Sequence, residues 1–495
     1  MSAINITKLS FAYDGSYDNV FENVSFSFDS DWKLGFIGRN GRGKTTFLNL
    51  LLGKYKYSGS ISSSVGFEYF PYEVSDKEQN TIDVIEAVNS ECEYWQIQRE
   101  LSLLEVDEDV LYRPFYSLSN GEQTKVLLIA LFLKENSFLL IDEPTNHLDL
   151  GAREILAKYL KSKKGFVLVS HDRDFLDSCI DHVLSINRAN IEIQQGNFSS
   201  WWHNKQLQDS FELASNRKLE RDIKRLEEAA KRSSRWSDKA EAAKIGFNPR
   251  ETEKSMGRRP YEGAKAKKIM SRAKDIEGRQ KSAIEEKSKL LKNLESADKL
   301  KLDQLQYHAE TLARARDLQI FYGEKIACSG VSFEIKRGDR LALVGRNGSG
   351  KSSIIKRILG EDISYSGELD VGSRLKISYV SQDTSNLSGN LTDFSEENGI
   401  DESLFKAILR KLGFSRTQFD KDISDFSAGQ KKKTLIAKSL CESAHLHIWD
   451  EPLNYIDVLS RIQLEELIIE FEPTLVFVEH DKRFCENIAT KSVYL

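Results

Sequence analysis

Four short motifs occur twice in this chain, in the same order and 307 to 309 residues apart. GRNGRGKTT (38–46) returns as GRNGSGKSS (345–353), and LSNGEQ (118–123) as FSAGQK (426–431). LLIDEP (139–144) returns as HIWDEP (447–452), and SHD (170–172) as EHD (479–481). Chance does not keep order and spacing together over such a distance, so the chain is a duplicated unit. The duplication predicts two tandem α/β domains, 1–204 and 305–495, with a segment of different composition, 205–304, between them. Length agrees, since 495 residues exceed what one hydrophobic core serves.

The pattern G-x-x-x-x-G-K-[ST] needs its glycines because the backbone must curl around phosphates with its N–H groups turned inward. Apolar strand residues precede each copy (34–37 and 341–344), and helix-forming residues follow, so the phosphates meet a helix N-terminus. The expected nucleotide contacts are Gly38, Asn40, Gly41, Gly43, Lys44, Thr45 and Thr46, then Gly345, Asn347, Gly348, Gly350, Lys351, Ser352 and Ser353. Lys44 and Lys351 would reach the β- and γ-phosphates, and Thr45 and Ser352 would coordinate Mg²⁺.

FLLID (138–142) and LHIWD (446–450) are apolar runs ending in an acid, the way a buried parallel strand delivers a carboxylate to a phosphate site. Asp142 and Asp450 are the expected Mg²⁺ residues, and the adjacent Glu143 and Glu451 the expected general bases. His171 and His480 follow further apolar runs, 29 and 30 residues after the acids, and are assigned to the same sites. Ser119, Gly121 and Glu122, like Ser427, Gly429 and Gln430, form an S-x-G-[EQ] element 23 residues before each acid, and an amphipathic helix is expected after it.

With that element the chain resembles the ATP-binding cassette (ABC) class over both units. The resemblance implies two ATP molecules, each held between the phosphate loop of one unit and the signature of the other. Ser427 and Gly429 would then face Lys44, and Ser119 and Gly121 would face Lys351. It further implies adenine stacking by Tyr13 and Tyr322, and sensing of Mg²⁺ and the γ-phosphate by Gln382. The copies differ: Tyr72 or Glu73 occupies the place of Gln382 in the first, and LNYID (453–457) replaces TNHLD (145–149) in the second. Two kinetically unequal sites follow from those differences.

The formal charge of −5 is an average over two populations. Residues 205–300 carry 26 Lys and Arg against 17 Asp and Glu, so the rest of the chain is distinctly acidic. Leu219, Ile223, Leu226 and Ala230 recur at helical spacing, and Ile269, Ile276, Ala283, Leu290 and Ala297 every seven residues. The pattern predicts a long antiparallel helical hairpin, a coiled coil whose tip lies near 246–263. Phe247, Arg250, Met256, Arg258, Arg259 and Tyr261 interleave apolar and basic side chains there, a combination suited to structured RNA. No apolar run is long enough to span a membrane, and residues 1–11 carry no signal pattern, so a cytoplasmic protein is expected. The five scattered cysteines read as core thiols rather than as disulfides or zinc ligands.

A twin cassette joined by such a basic hairpin resembles the ABC-F family of ribosome-associated ATPases. NFSSWWHNKQ (197–206), RWSDKAEAAK (235–244), AKAKKIMSRAK (264–274) and WDEPLNYID (449–457) are similar to its Lsa/Vga-type antibiotic-resistance members. The resemblance implies a monomer that closes on two ATP and enters the E site of the 70S ribosome. Its tip would extend along 23S rRNA toward the peptidyl-transferase centre, displacing P-site tRNA and releasing lincosamide, pleuromutilin or streptogramin A drugs, and hydrolysis would free the factor. A housekeeping translation factor is the alternative, but such members usually carry a longer insertion in the first unit. Here Lys44 and Ser119 are 75 residues apart, against 76 for Lys351 and Ser427. A transporter subunit would have no use for the hairpin, and in a DNA-repair ATPase the coil interrupts one unit rather than joining two.

Overall fold

The structure, a computed structural model, describes residues 2–13, 19–146, 148–186, 191–245, 305, 307–323, 325–346 and 348–495. Asn347, the six tip residues and the second hairpin arm lie outside the described residues. The chain divides into two compact units, one formed by Met1–Trp201 with Lys299–Leu495 and the other by Trp202–Asp298.

In the first cassette, strands Gly66–Phe70, Ser137–Asp142, Phe166–Val169, Lys33–Ile37 and His182–Ile186 lie side by side in parallel, and Ile191–Gln195 pairs antiparallel at the edge. In the second, Ile377–Val380, Leu446–Asp450, Leu475–Val478, Arg340–Val344 and Lys491–Tyr494 repeat the parallel order. The runs FVLV and LVFV are buried along their whole length, as strands covered on both faces must be. A three-stranded antiparallel sheet covers each core, with Ala3–Phe11 central in one and Thr311–Tyr322 in the other. Both phosphate loops and both carboxylates emerge at the C-terminal ends of parallel strands, where this sheet type binds its ligands.

The helices after the two signatures, Asn120–Phe132 and Ala428–Cys441, are not amphipathic as expected from the sequence. Lys125 through Leu131 are buried without a break, and so are Lys432 through Ala437. Each helix is sandwiched: Asn120–Phe132 packs on helices Thr81–Val88 and Tyr94–Leu103 on one side and on strands Gly66–Phe70 and Ser137–Asp142 on the other. Cover on both sides buries the middle of each helix, while its first turn stays partly open. Cys179 and Cys328 are buried, and Cys441 and Cys485 pack half-buried against the core of the second cassette, while Cys92 is only half-buried; all five are free thiols.

Helix Phe198–Ile245, which continues from Trp202 onward in the other unit, runs for 48 residues, about 70 Å at 1.5 Å per residue. Leu219, Ile223, Leu226 and Ala230 of the first arm fall within it. Among the described residues, no helix is long and apolar enough to cross a membrane.

Candidate active site

Each phosphate loop hands over to its helix at a glycine in the left-handed region, Gly43 at φ 91° and Gly350 at φ 89°. A Cβ on Gly43 would come within 2.7 Å of Val20 Cγ1, and one on Gly350 within 2.7 Å of the Ala327 carbonyl oxygen. Conformation and space both require glycine. No side chain caps helix Lys44–Leu51 or Lys351–Ile358, so their first N–H groups face the loop. Lys44 Nζ donates to the Gly38 carbonyl at 2.7 Å and to Asn40 Oδ1 at 3.3 Å. Lys351 Nζ donates to the carbonyls of Gly345 at 2.9 Å and Arg346 at 2.8 Å. Thr45 Oγ1 lies 3.4 Å from Asp142 Oδ2, and Ser352 Oγ 3.4 Å from Asp450 Oδ1.

The signatures have a local physical cause. Ser119 and Glu122 form a reciprocal capping box at the start of their helix, as do Ser427 and Gln430. The serine accepts from the backbone three residues on, and the Glu or Gln side chain accepts from the serine N–H.

Contacts across the duplication bring each half to the other's site. Asn40 Nδ2, in the first phosphate loop, donates to the Tyr455 carbonyl at 2.8 Å, and Asn40 N lies 3.5 Å from Asp457 Oδ2. A Cβ on Gly429 would stand 3.1 Å from Asn40 Nδ2. Arg153 donates to Asp172 at 2.9 Å and to the His480 carbonyl of the other half at 3.2 Å. One cavity of about 1510 Å³ is lined by Lys44, Thr45, Thr46, Glu143 and His171 together with Ser427 and Gly429, and by Lys351, Ser352, Ser353, Gln382, Glu451 and His480 together with Ser119, Gly121 and Glu122. Tyr13, Asn40, Gly41, Gly43, Tyr322, Gly348 and Gly350 complete the expected set on its wall. Gly38, Gly345, Asp142, Asp450 and Gln430 are not on the lining; the two aspartates support it through Thr45 and Ser352. Tyr13 Oη is hydrogen-bonded to Thr46 Oγ1 at 2.6 Å, and Tyr13 and Tyr322 both keep exposed rings.

Both candidate bases sit on left-handed backbone, Glu143 at φ 51° and Glu451 at φ 48°. Strain of this kind, about 1–3 kcal/mol per residue, persists where surrounding structure dictates side-chain direction. Their environments differ. Glu143 Oε1 lies 3.3 Å from His171 Nε2, and burial together with the Asp142 carboxylate pushes Glu143 up to about 8. Burial and the Lys44 ammonium push His171 well below the ordinary imidazole range. In the second site, Gln382 Nε2 and Asn454 Nδ2 donate to the same Glu451 oxygen at 2.8 and 2.6 Å. Burial lowers His480 to about 4, and its Nε2 is buried with no hydrogen-bond partner among the described residues.

Strand register puts Tyr72 at the place of Gln382: Tyr69 pairs with Leu140 and Tyr379 with Ile448, and each tyrosine precedes the position by three residues. Tyr72 and Glu73 are both exposed and neither lines the cavity. Tyr69 reaches the site instead, its hydroxyl donating to Asp142 Oδ2 at 3.2 Å. The motifs did not reveal that contact. Arg153 and Arg461 were missed as well, although D-x-x-x-R occurs in both copies, from Asp149 and from Asp457.

Comparison with known proteins agrees with this geometry. The profile of the ABC transporter family matches residues 21–146 and 328–454, together more than half of the chain. The chain is 26% identical over 497 residues to ribosome protection protein VmlR of Bacillus subtilis (strain 168), spanning 99% of this chain and 86% of that one. It is 26% identical over 493 residues to ATP-binding protein Uup of Caulobacter vibrioides, spanning 96% and 74%. In fold it resembles archaeal ribosome recycling factor aABCE1, solved in complex with the ribosomal stalk protein aP1, with a TM-score of 0.64 at 18% identity over 98% of this chain and 87% of that one. The chain belongs to the ATP-binding cassette family, in its ABC-F branch. It is an ATPase with two nucleotide-binding domains in tandem.

Proposed function

We propose that this ATPase is a cytoplasmic ribosomal protection factor, acting as a monomer whose domains are 1–204, the basic hairpin 205–304, and 305–495. The observation that carries the reading is the charge map: the excess of base is confined to 205–300, the segment without catalytic motifs. The similarity to a ribosome protection protein over 99% of the chain supports it.

Each site binds ATP between one phosphate loop and the opposite signature. Glu143 and Glu451 accept the proton of the attacking water as its oxygen bonds to the γ-phosphorus and ADP leaves. His171 and His480, held neutral by burial, orient the γ-phosphate. Among the described residues no group of three or more His, Cys, Asp or Glu side chains could hold a metal unaided. The hydroxyl–carboxylate pairs Thr45–Asp142 and Ser352–Asp450 instead suit Mg²⁺ shared with phosphates, Gln382 completing the second site. When bound, Mg²⁺ supplies neutralisation of the phosphate charge.

The ATP-bound form occupies the E site, where the hairpin follows 23S rRNA toward P-site tRNA and the tip (Phe247, Arg250, Met256, Arg258, Arg259, Tyr261) dislodges a lincosamide, pleuromutilin or streptogramin A. Differential affinity of the two nucleotide states for the ribosome does the work. The test is a panel of minimum inhibitory concentrations in a sensitive host, with and without the gene. Raised tolerance to those drugs is expected, with loss of protection, retention of ATP and arrest on ribosomes in the Glu143→Gln, Glu451→Gln double variant. Unchanged tolerance with preserved ribosome binding would assign a housekeeping role instead.

A further inference from the structure

Two consecutive lysines on the signature helix of the second cassette point to different nucleotide sites. Lys432, 1% exposed, donates to the Ser381 carbonyl at 2.7 Å and to the Asp450 carbonyl at 3.2 Å. Ser381 precedes Gln382, whose amide holds Glu451 in the second site. Lys433, also buried, donates to Asp457 Oδ2 at 2.9 Å and to Ser460 Oγ at 2.7 Å. Asp457 in turn approaches Asn40 N of the first phosphate loop. Adjacent residues of one helix thus hold, by hydrogen bonds, the backbone next to Gln382 on one side and the Asp457–Asn40 contact on the other, and the same helix begins at Ser427 and Gly429, beside the first site.

Among the described residues, which leave out Asn347, the first cassette shows no such chain. Thr124 stands where Lys432 does, too short to span from helix to strand end, and Lys125 Nζ donates to the Leu104 carbonyl at 2.8 Å rather than to Asp149. A buried ammonium remains only where its environment compensates it, and Glu479 and Asp450 beside Lys432 have a neutral counterpart in Ser170 for the glutamate. Glu479 accepts from the backbone N–H of Leu453 at 2.6 Å and of His480 at 3.0 Å, tying the Lys432 neighbourhood to the 453–457 turn that meets Asn40.

We infer that Lys432 and Lys433 couple occupancy of the second ATP site to the affinity of the first, and that the signature helix of the first cassette carries no equivalent line. Lys432 is a positioning residue: it holds the Gln382 loop against the helix that presents Ser427 and Gly429, so seating a γ-phosphate at Gln382 fixes that helix. The inference rests on the composite-site reading above.

The test uses the full chain and the N-methylanthraniloyl derivative of β,γ-imido-ATP, which is not hydrolysed, with stoichiometry and affinity read by calorimetry and fluorescence. Wild type should bind two molecules. Lys351→Ala should bind one, with first-site affinity lowered about tenfold, a coupling of ordinary size. In Lys432→Met stoichiometry should stay at two, and adding Lys351→Ala should leave first-site affinity unchanged. Gln382→Ala cuts the line at an exposed loop without disturbing the core, and should abolish the Lys351→Ala effect even if Lys432→Met does not fold. Thr124→Val, the mirror substitution, should preserve it. The inference is overturned if Lys351→Ala weakens the first site equally in wild type, Lys432→Met and Gln382→Ala, if it has no effect in wild type, or if Thr124→Val removes the effect. A stoichiometry that stays at two in Lys351→Ala overturns the composite-site reading itself.

Discussion

Gly121 and Gly429 occupy the same place in the two signatures, yet their surroundings are unequal. A Cβ on Gly429 would approach the Tyr455 carbonyl oxygen to 2.2 Å, while one on Gly121 would meet only Leu148 Cδ2 at 3.2 Å. Backbone cannot give way as a leucine methyl can. Gly429→Ala should therefore lower the ATPase rate at least about tenfold, and Gly121→Ala by no more than about threefold, in steady-state phosphate release; each tenfold is about 1.4 kcal/mol of barrier. The motif made both glycines legible in the sequence, but Tyr455 is 26 residues from Gly429 and nothing local announces the contact. His447 makes a second residue-scale case. Burial lowers it to about 4, and it faces Ser439 Oγ at 3.1 Å. Below the unfolded value of about 6.5 the unfolded chain takes up a proton that the folded chain refuses, so this stability is full above about 6.5 and lost as pH falls toward 4. Wild type should lose about 2 kcal/mol at pH 5 relative to His447→Gln, read as a difference in the pH dependence of denaturant midpoints.

Between elements, helices Arg173–Cys179 and Lys482–Ile488 meet across the duplication. Arg173 forms a buried ion pair with Glu465 and lies 3.7 Å from Asp481, while Arg483 pairs with Asp174 and Asp177 at 2.8 Å. The Arg173–Glu465 pair has no counterpart, because Lys482 and Ala157 stand at the equivalent positions. Aligning the two copies therefore could not disclose it, whereas the same alignment yields every phosphate-loop and signature residue. Removing one partner of a buried pair leaves the other charge stranded, at about 3–5 kcal/mol. Arg173→Ala should destabilise the chain by that order in urea denaturation, and Arg173→Met combined with Glu465→Leu should recover most of the loss. Equal destabilisation in the single and double variants would mean that the pair contributes packing only. The burial of the signature helices was illegible for a related reason: Lys125, Lys432 and Lys433 break the apolar pattern, and their ammonium groups find carbonyl or carboxylate partners only in the folded chain.

For the whole molecule, the informative quantity is where charge lies. A chain of net charge −5 is repelled on average by RNA, while 205–300 has nine more bases than acids. Phosphate contacts made by that segment release counterions, so affinity for ribosomes should fall steeply with salt despite the acidic average. With about six phosphates neutralised, the loss amounts to about three orders of magnitude between about 50 and 200 mM salt. Changing Lys265, Lys267 and Lys268 together to Gln should lower the slope of log affinity against log salt by about three, one for each contact removed. The same change at Lys54, Lys56 and Lys77, on the first cassette, should leave the slope as it was. Measuring both triples in ribosome pelleting across a salt series, in the Glu143→Gln, Glu451→Gln background so that hydrolysis does not end the encounter, separates the hairpin from the cassettes. A slope that responds equally to both triples would locate the RNA contact on the ATPase surface and remove the hairpin from the interface.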